Sequence, residues 1–257
     1  DAHSLALLTL GYDDRLAKDG KDALRAKQHK EQKCWPKENC KVLDTAFAVL
    51  ALHNLGEPVD DETDWLIDRQ MPFKVGGITW LLQVDSKGPT NCTISYDSRD
   101  YILSIKRDKS YSFPGSTPGC LSLTDANYWI KISSACLDKV YSVSCEEPAA
   151  ISLPYRLDQT LYVPSETSQA PADVSIKTVC IREGASCSYE GTLWTAYALM
   201  KSGKEYTQLL PYLVGEAEAS KRLLPDAILF ALTSKEEHAT RLLSQQNREG
   251  YFSAIGG

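Results

Sequence analysis

The residues that come closest to a reactive pattern are five acidic or hydroxyl residues at 60–64, DDETD. Carboxylates on neighbouring positions of a helix can chelate a hard cation such as Mg²⁺ or Ca²⁺. These residues follow a Gly-Glu-Pro turn at 56–58 and open a predicted helix. Asp at a helix start caps free N–H groups and favours the positive end of the helix dipole. The position therefore favours capping, with weak calcium binding as the alternative.

A second candidate precedes another predicted helix, where Ser186, Cys187 and Ser188 follow one another. A thiol or hydroxyl near a helix N-terminus can become an activated nucleophile. No His lies nearby in the sequence, so a helix cap beside a disulfide is favoured. Asp44 and Glu190, each at a predicted helix start, have the chemistry for acid/base catalysis, but capping explains both. The sequence therefore predicts no catalytic residue, no metal ligand and no cofactor.

The cysteines favour disulfides over a metal site. Their number is even, and none of their spacings has the paired C-x-x-C form of a zinc site. The eight candidates are Cys34, Cys40, Cys92, Cys120, Cys136, Cys145, Cys180 and Cys187. Cys34 and Cys40 are expected to close a small ring. Bridges of Cys136 with Cys145 and of Cys180 with Cys187 are possible pairings, although the sequence leaves the connectivity open.

A glycosylation sequon indicates the same kind of compartment as the cysteines. Asn91, Cys92 and Thr93 form the acceptor tripeptide for N-glycosylation, which is found on exported proteins. Disulfides persist in oxidising compartments, so we expect an extracellular or cell-surface protein. The alternatives are a sequon that arose by chance and a disulfide-rich intracellular protein of a hyperthermophile.

Composition and charge exclude several classes of function. The chain has 257 residues, 43% of them hydrophobic, and a net charge of -6. This composition predicts a globular protein and argues against a nucleic-acid surface, which needs clustered Lys and Arg. No apolar run approaches the roughly 20 residues that span a bilayer. The N-terminus lacks the features of a signal peptide, so any such peptide is expected to have been removed.

Hydrophobic periodicity predicts helices at both ends of the chain and strands between them. Residues 3–28 and 44–70 each read as a helical hairpin, and helical signals return from Tyr189. The segment between them alternates apolar and polar residues in short runs rich in β-branched and aromatic side chains. The predicted domains are a helical repeat at 1–72, an inserted disulfide-rich β domain at 73–183 and a second helical repeat at 184–257.

Three segments resemble a known superfamily. TAFAVLALHNLG, WLIDRQ and LLSQQNREGYF resemble repeats of the terpenoid cyclase and protein prenyltransferase superfamily, in which paired helices form an α/α toroid. QNREGYF also resembles the Gln-to-aromatic turn of squalene and hopene cyclases, which implies that Gln246 caps a helix and the aromatic residue packs beneath it. The expected fold class is α+β multidomain, with toroid-like helical hairpin repeats interrupted by an inserted antiparallel β-sandwich-like domain.

The chain departs from this superfamily where its chemistry resides. The Asp-x-Asp-Asp acid, the Asp, Cys and His zinc set and the thioester signature of related toroids are all missing from the sequence. The Asp-rich turn at 60–64 matches the magnesium motif of other terpene synthases but stands at a helix start. The predicted helices are also fewer than a closed toroid requires, so we expect a fragment or an open array completed by a neighbouring molecule.

These observations predict a non-enzymatic extracytoplasmic structural or binding module, such as a cell-surface or filament component. The alternative is a lyase or hydrolase that acts on glycans or isoprenoids in the toroid cavity. The sequence favours a protein partner or self-assembly, keeps a carbohydrate ligand as a possibility, and predicts neither nucleic-acid binding nor a membrane span. Four tryptophans are assigned to the core, with a ligand groove as the alternative: Trp65, Trp80, Trp129 and Trp194. His53 is expected to be a buried or boundary residue with satisfied hydrogen bonds.

Overall fold

A computed structural model describes residues 14–164, 167–217, 223–250 and 252 of the chain. Within them, the α-helices are α1 (Asp14–Ala26), α2 (Val42–Asn54), α3 (Asp60–Ile67), α4 (Tyr189–Lys201), α5 (Leu210–Gly215), α6 (Leu223–Thr233) and α7 (Glu236–Ser244). The strands are β1 (Gln70–Pro72), β2 (Ile78–Ser86), β3 (Thr90–Tyr96), β4 (Arg99–Ile105), β5 (Tyr111–Ser112), β6 (Leu121–Thr124), β7 (Trp129–Ile132), β8 (Val140–Cys145), β9 (Ala149–Ser152), β10 (Tyr155–Leu157), β11 (Thr160–Tyr162), β12 (Ser168–Gln169), β13 (Ala172–Ser175), β14 (Val179–Glu183) and β15 (Ser186–Cys187). All strand pairs in the three sheets are antiparallel.

The chain divides into two compact units. Unit 1 comprises Asp1–Val75 and Thr178–Gly257, and unit 2 comprises Gly76–Lys177. Unit 1 contains all the described helices longer than one turn and the sheet β1-β14-β15. That independent domains lie at 1–72, 73–183 and 184–257 stays a prediction.

Unit 1 is built around α2. This helix is apolar around most of its circumference, so it lies inside the unit instead of presenting one face to solvent. Trp35, which is fully buried, joins α1 and α2 to the loop between them. Its indole N–H donates to the Leu24 carbonyl at 2.7 Å, and its backbone N–H donates to Thr45 Oγ1 at 3.0 Å. The loop is therefore fixed at the start of α2.

The predicted toroid is wrong, and with it the resemblance to the cyclase and prenyltransferase superfamily. The structure is a β-rich fold with three antiparallel sheets, and its described α-helices are short, from 6 to 13 residues. The periodicity of the 44–70 segment was correct for α2, but α3 has only 8 residues. The chain then enters β1, where Gln70 pairs with Ile181 of β14. The segment ending in Gln70 thus leads into a sheet, not into the next hairpin of a repeat.

The two other segments that suggested repeats also differ from the expectation. Residues 3–13 of the first predicted hairpin lie outside the described residues. Near the C-terminal end, Gln246 Nε2 donates to the Gly250 carbonyl at 2.7 Å and so closes a turn. The aromatic residue of this motif, Phe252, is 42% exposed. Phe252 is therefore not buried beneath this turn.

Unit 2 consists of two antiparallel sheets. One has the strand order β13-β8-β3-β4-β5, and the other has the order β11-β10-β2-β7-β6 with β9 beside β2 and β12 beside β9. Tyr111 of the first sheet joins the two, because its hydroxyl donates to the Val84 carbonyl at 3.0 Å and accepts from the Val84 N–H at 3.2 Å. Burial raises the pKa of the Tyr111 hydroxyl. The predicted β domain is confirmed in this part of the chain.

The eight cysteines form four disulfides, so the prediction of disulfides is confirmed. The pairs are Cys34–Cys40, Cys92–Cys145, Cys120–Cys136 and Cys180–Cys187. A Cys136–Cys145 bridge is wrong, because Cys145 lies directly opposite Cys92 in the pairing of β8 with β3. Four disulfides indicate an oxidising environment. Within the described part of the chain, no helix has both the length and the apolar character needed to cross a membrane.

Candidate binding surfaces

The acidic residues at 60–64 form ion pairs with basic side chains of unit 1. Asp60 accepts a hydrogen bond from Lys204 Nζ at 2.6 Å, and this bond lowers the pKa of the Asp60 carboxyl. Asp61 lies 3.3 Å from Lys33 Nζ. The N-cap of α3 is Val59, so the expectation of an Asp cap is wrong, although the carboxylates do occupy the positive end of the helix.

Glu62, the third carboxylate of this run, is buried and paired. It accepts hydrogen bonds from Arg25 and from Gln28, the latter at 2.7 Å, so it joins α3 to the end of α1. In the described residues, no group of three or more His, Cys, Asp or Glu side chains has an arrangement that could hold a metal ion.

The Ser-Cys-Ser segment has the structural role that the sequence favoured. Ser188 is the N-cap of α4, and its hydroxyl accepts from the Gly191 N–H at 3.1 Å. Cys187 is bonded to Cys180 and offers no thiol. Asp44 and Glu190 lie in the first turns of α2 and α4. The cavity in which the enzyme hypothesis placed its site does not exist, because the helices form no toroid.

The aromatic and histidine predictions give a mixed outcome. Trp65 and Trp80 are buried in the core, as favoured, and Trp129 and Trp194 are half-buried. His53 is exposed, so the expectation of a buried or boundary residue is wrong. The side chain at this position of α2 faces solvent at the end of an otherwise internal helix.

Asn91 lies on the outward face of the five-stranded sheet of unit 2. Its Oδ1 accepts from Ser104 Oγ at 2.7 Å, and its Nδ2 donates to the Glu146 carboxylate at 3.4 Å. Thr93 lies two positions along the same strand and therefore shares this face. Asn91 and Thr93 are therefore accessible from the same side of the sheet, and glycosylation of Asn91 stays a prediction.

The same face carries a surface of small polar side chains. Residues of β3, β4 and β8 largely alternate between buried and accessible positions, and the accessible ones include Thr93, Ser95, Ser104, Ser142 and Ser144. One depression of about 480 Å³ has in its lining Asn91, Thr93, Ile102, Ser104, Ser144 and Glu146. A second depression of about 330 Å³ has in its lining Ser95, Ser142, Ser144, Pro171, Ala172 and Asp173. The two meet at Ser144, and we call the combined surface the hydroxyl groove.

The hydroxyl groove crosses the strands. Its lining comes from β4, β3, β8 and β13, which are adjacent in this order. With a spacing of about 4.8 Å between neighbouring strands, the groove extends roughly 14 Å across them. Its described lining includes no Lys, Arg or aromatic side chain. It is therefore a neutral to acidic surface on which hydrogen-bonding groups lie beside apolar ones such as Ile102, Val143 and Pro171.

Two carboxylates near this groove are held by neighbouring hydroxyls. Ser142 Oγ donates to Asp173 Oδ1 at 2.5 Å, and Ser95 Oγ donates to Asp100 Oδ1 at 2.6 Å. In each pair the residues lie opposite each other on neighbouring strands. Each carboxylate is thereby oriented while its second oxygen remains available to accept a hydrogen bond from a ligand.

No separate strand was predicted at residues 140–145, VYSVSC, which supply the middle of this groove, although they alternate apolar and polar residues. In the structure they form β8, whose Tyr141 and Val143 are buried while Ser142 and Ser144 are exposed. The period-two pattern would have identified both the strand and its accessible hydroxyls.

Comparison with known proteins adds no relative. No family model, no curated protein and no solved structure matches this chain. The superfamily resemblance in the sequence segments is therefore supported neither by the fold nor by these comparisons.

Proposed function

We propose that this chain is a non-enzymatic, extracytoplasmic binding module, and that its hydroxyl groove binds a neutral oligosaccharide. The observation that carries the proposal is the groove itself: an extended surface of hydroxyl, amide and carboxylate groups on a disulfide-stabilised sheet. The four disulfides support an extracellular or cell-surface location for the protein.

The chemistry of the groove favours a carbohydrate over a protein. Hot spots of protein interfaces are enriched in Trp, Tyr and Arg, and the described lining contains none of these. A sugar chain presents many hydroxyls, which can donate to the free oxygens of Asp173 and Asp100 and accept from the Ser and Thr hydroxyls. Without an aromatic residue for stacking, each sugar contributes little, so we expect weak affinity.

The charge of the groove selects among carbohydrates. Asp173 and Glu146 lie in the lining, and the described lining residues carry no positive charge. Sulfated or carboxylated sugars would be repelled by these carboxylates. Uncharged oligosaccharides of glucose, mannose or N-acetylglucosamine are therefore the expected ligands.

The test is binding of these neutral oligosaccharides to the full chain with its disulfides intact, measured by calorimetry or on a glycan array. The Ser144→Leu substitution places a bulky side chain with no hydrogen-bonding or stacking group where the two depressions meet. It should weaken binding by about tenfold or more through blocked hydrogen bonds. Ser122→Leu is the matched control, because Ser122 is an exposed serine on β6 in the other sheet. No binding by the wild type, or equal loss in both variants, would contradict the proposal.

Glycosylation of Asn91 bears on the same surface. A sugar chain on this side chain would start inside the groove and compete with an external ligand. Asn91→Gln keeps the amide group but removes the sequon. In material from a glycosylating host, we expect this variant to bind free oligosaccharide more tightly than the wild type. Mass measurement of the intact protein reports whether Asn91 carries a glycan.

Self-assembly or a protein partner stays a prediction. Light scattering over a range of protein concentrations tests self-assembly directly, and a strict monomer at every concentration would contradict a filament subunit.

A further inference from the structure

Two arginines lie opposite each other at one end of the three-stranded sheet of unit 1. Gln70 of β1 pairs with Ile181 of β14, and one step further the Arg182 N–H donates to the Arg69 carbonyl at 2.9 Å. Like charges directly opposite each other destabilise a sheet. Burial lowers the pKa of the Arg69 guanidinium, and the charge of Arg182 lowers it further. The fold thus keeps two cations together at an electrostatic cost.

Both arginines line a pocket of about 270 Å³ in unit 1. The other lining residues are Cys40, Val42, Glu183 and Gly184. The Arg69 guanidinium lies 3.6 Å from the centre of the Trp65 ring, which fixes its plane. Within the described part of the chain, neither arginine side chain forms a hydrogen bond or an ion pair at 4.0 Å or less. We call this space the arginine pocket.

The lining of the arginine pocket has fewer carboxylates than guanidinium groups. Asp68, next to Arg69 in the chain, acts on the Arg69 charge from a distance. Glu183 is the one carboxylate in the described lining, against two guanidinium groups. The lining therefore carries a net positive charge at neutral pH.

The start of α2 adds further donors to this pocket. Val42, the first residue of the helix, is in the lining, and the N-cap residue Lys41 provides no side-chain cap. The first N–H groups of a helix have no partner within it and lie at the positive end of the dipole. The positive end of the helix dipole therefore lies near the two arginines, and Asp44 in the same turn offsets part of its effect.

Two disulfides hold the walls of the pocket. Cys40, in the lining, is bonded to Cys34 and fixes the loop before α2. Cys180 and Cys187 close a ring that contains Arg182 and Glu183. A site whose walls are held in advance loses less conformational entropy when it binds a ligand.

We propose that the arginine pocket binds a tetrahedral oxyanion, either a sulfate or a phosphate group. A guanidinium presents parallel N–H donors that match two oxygens of such a group, and two guanidinium groups can share its charge. This site lies in unit 1 and is independent of the hydroxyl groove, whose carboxylates select against anions. The arginine pocket selects an anion, whereas the hydroxyl groove is proposed to bind a neutral sugar.

The test is titration of the full, disulfide-bonded chain with inorganic sulfate and, separately, inorganic phosphate, at constant ionic strength kept with sodium chloride. Saturable binding to one site is expected. Arg182→Gln should weaken it by about tenfold, the loss of one charged hydrogen-bond donor group. Glu183→Gln should change affinity in the opposite direction, tightening binding by up to about fivefold.

The matched control is Arg107→Gln, which removes one positive charge from an exposed turn of unit 2. It should leave the affinity unchanged. Arg69→Lys tests the fork geometry, because it keeps the charge while losing the paired donors. Equal loss in the Arg182 and Arg107 variants, or no saturable binding by the wild type, would overturn the proposal.

Acetate provides the last arm of the experiment. Sulfate and phosphate should bind more tightly than acetate at the same concentration. Acetate binding of equal strength would overturn the assignment of a tetrahedral ligand. Circular dichroism in the near ultraviolet checks that each variant retains the wild-type fold.

Discussion

The two units use disulfides in different ways. In unit 2, Cys92–Cys145 joins residues 53 positions apart and Cys120–Cys136 joins residues 16 apart. In unit 1 the separations are 6 and 7. Longer closed loops remove more entropy from the unfolded chain. The disulfides of unit 2 therefore stabilise its sheet, whereas those of unit 1 mainly shape loops beside the arginine pocket.

The two units also differ in the size and charge of their candidate binding surfaces. The hydroxyl groove of unit 2 lies on a sheet face whose polar groups come from alternate residues of neighbouring strands. The arginine pocket of unit 1 depends on a strand pair, a helix start and two short covalent rings. Unit 2 thus provides a broad neutral to acidic surface and unit 1 a small cationic one.

The largest expected difference concerns the disulfides. Replacing both Cys92 and Cys145 by Ala should cost about 4 kcal/mol, and replacing both Cys34 and Cys40 about 2 kcal/mol, because the closed loops differ in length. Native-state hydrogen exchange measures the two effects separately, in β3 for the first pair and in α2 for the second. An equal loss of unfolding free energy in the two variants would contradict this difference between the units.

A smaller loss of stability is expected when a buried cluster of charged residues in unit 1 is disrupted. Burial opposes ionisation of Asp226, but hydrogen bonds from His238 and then Arg241 outweigh it and lower the pKa of the carboxyl below its usual 3.8. Arg241 Nε lies 2.9 Å from Asp226 Oδ1. Asp226→Asn should therefore cost roughly 1–3 kcal/mol at neutral pH, measured by urea denaturation.

The pH dependence of this cluster has a definite sign. A carboxyl with a lowered pKa stabilises the fold above the ordinary pKa, and this contribution is lost as pH falls through the lowered value. Below about pH 3.8 the wild type should lose stability faster than Asp226→Asn. Asp158→Asn is the control, since Asp158 is exposed at a positive φ that Asn also adopts. Identical acid profiles of the wild type and the Asp226 variant would contradict this role.

The smallest effect is expected at the hydroxyl that joins the two sheets of unit 2. Tyr111→Phe removes both hydrogen bonds to Val84 and should cost about 1 kcal/mol at pH 7. Because burial raises the pKa of Tyr111 above 10.0, its stabilisation is present below pH 10 and is lost as pH rises through the raised value. Thermal unfolding between pH 8 and 11 measures this, with the exposed Tyr128→Phe as the control. If the variant lost stability more steeply than the wild type at alkaline pH, the stabilising role of the Tyr111 hydrogen bonds to Val84 would be contradicted.

Local pattern was sufficient for much of the secondary structure. Alternation identified segments of β2, β3 and β4, and helical spacing identified α2. It did not identify the partners of these elements. Gln70 pairs with Ile181 more than a hundred positions away, and no local pattern encodes that contact. The toroid error arose here, because an internal helix and a helix of a repeat have the same apolar periodicity.

The residues of the candidate sites were also not predictable as groups, because long-range strand pairing brings them together. Asn91 was visible in the sequence as a sequon, but its neighbours depend on strand register, because Ser104 lies on β4 and Glu146 directly follows β8. Arg69 and Arg182 have no unusual sequence context, and only the pairing of β1 with β14 brings them together. The cysteines could be counted but not paired, because Cys92 meets Cys145 through the same kind of strand register.

The most direct test of oligosaccharide binding is nuclear magnetic resonance mapping of the full chain with neutral oligosaccharides of glucose, mannose and N-acetylglucosamine. We predict saturable shifts of backbone amides in β3, β8 and β13, centred on Ser144, and none in β6 and β7. The Ser144→Leu variant should lose these shifts, and Ser122→Leu should keep them. Shifts that fail to saturate, or that centre outside the hydroxyl groove, would contradict this prediction.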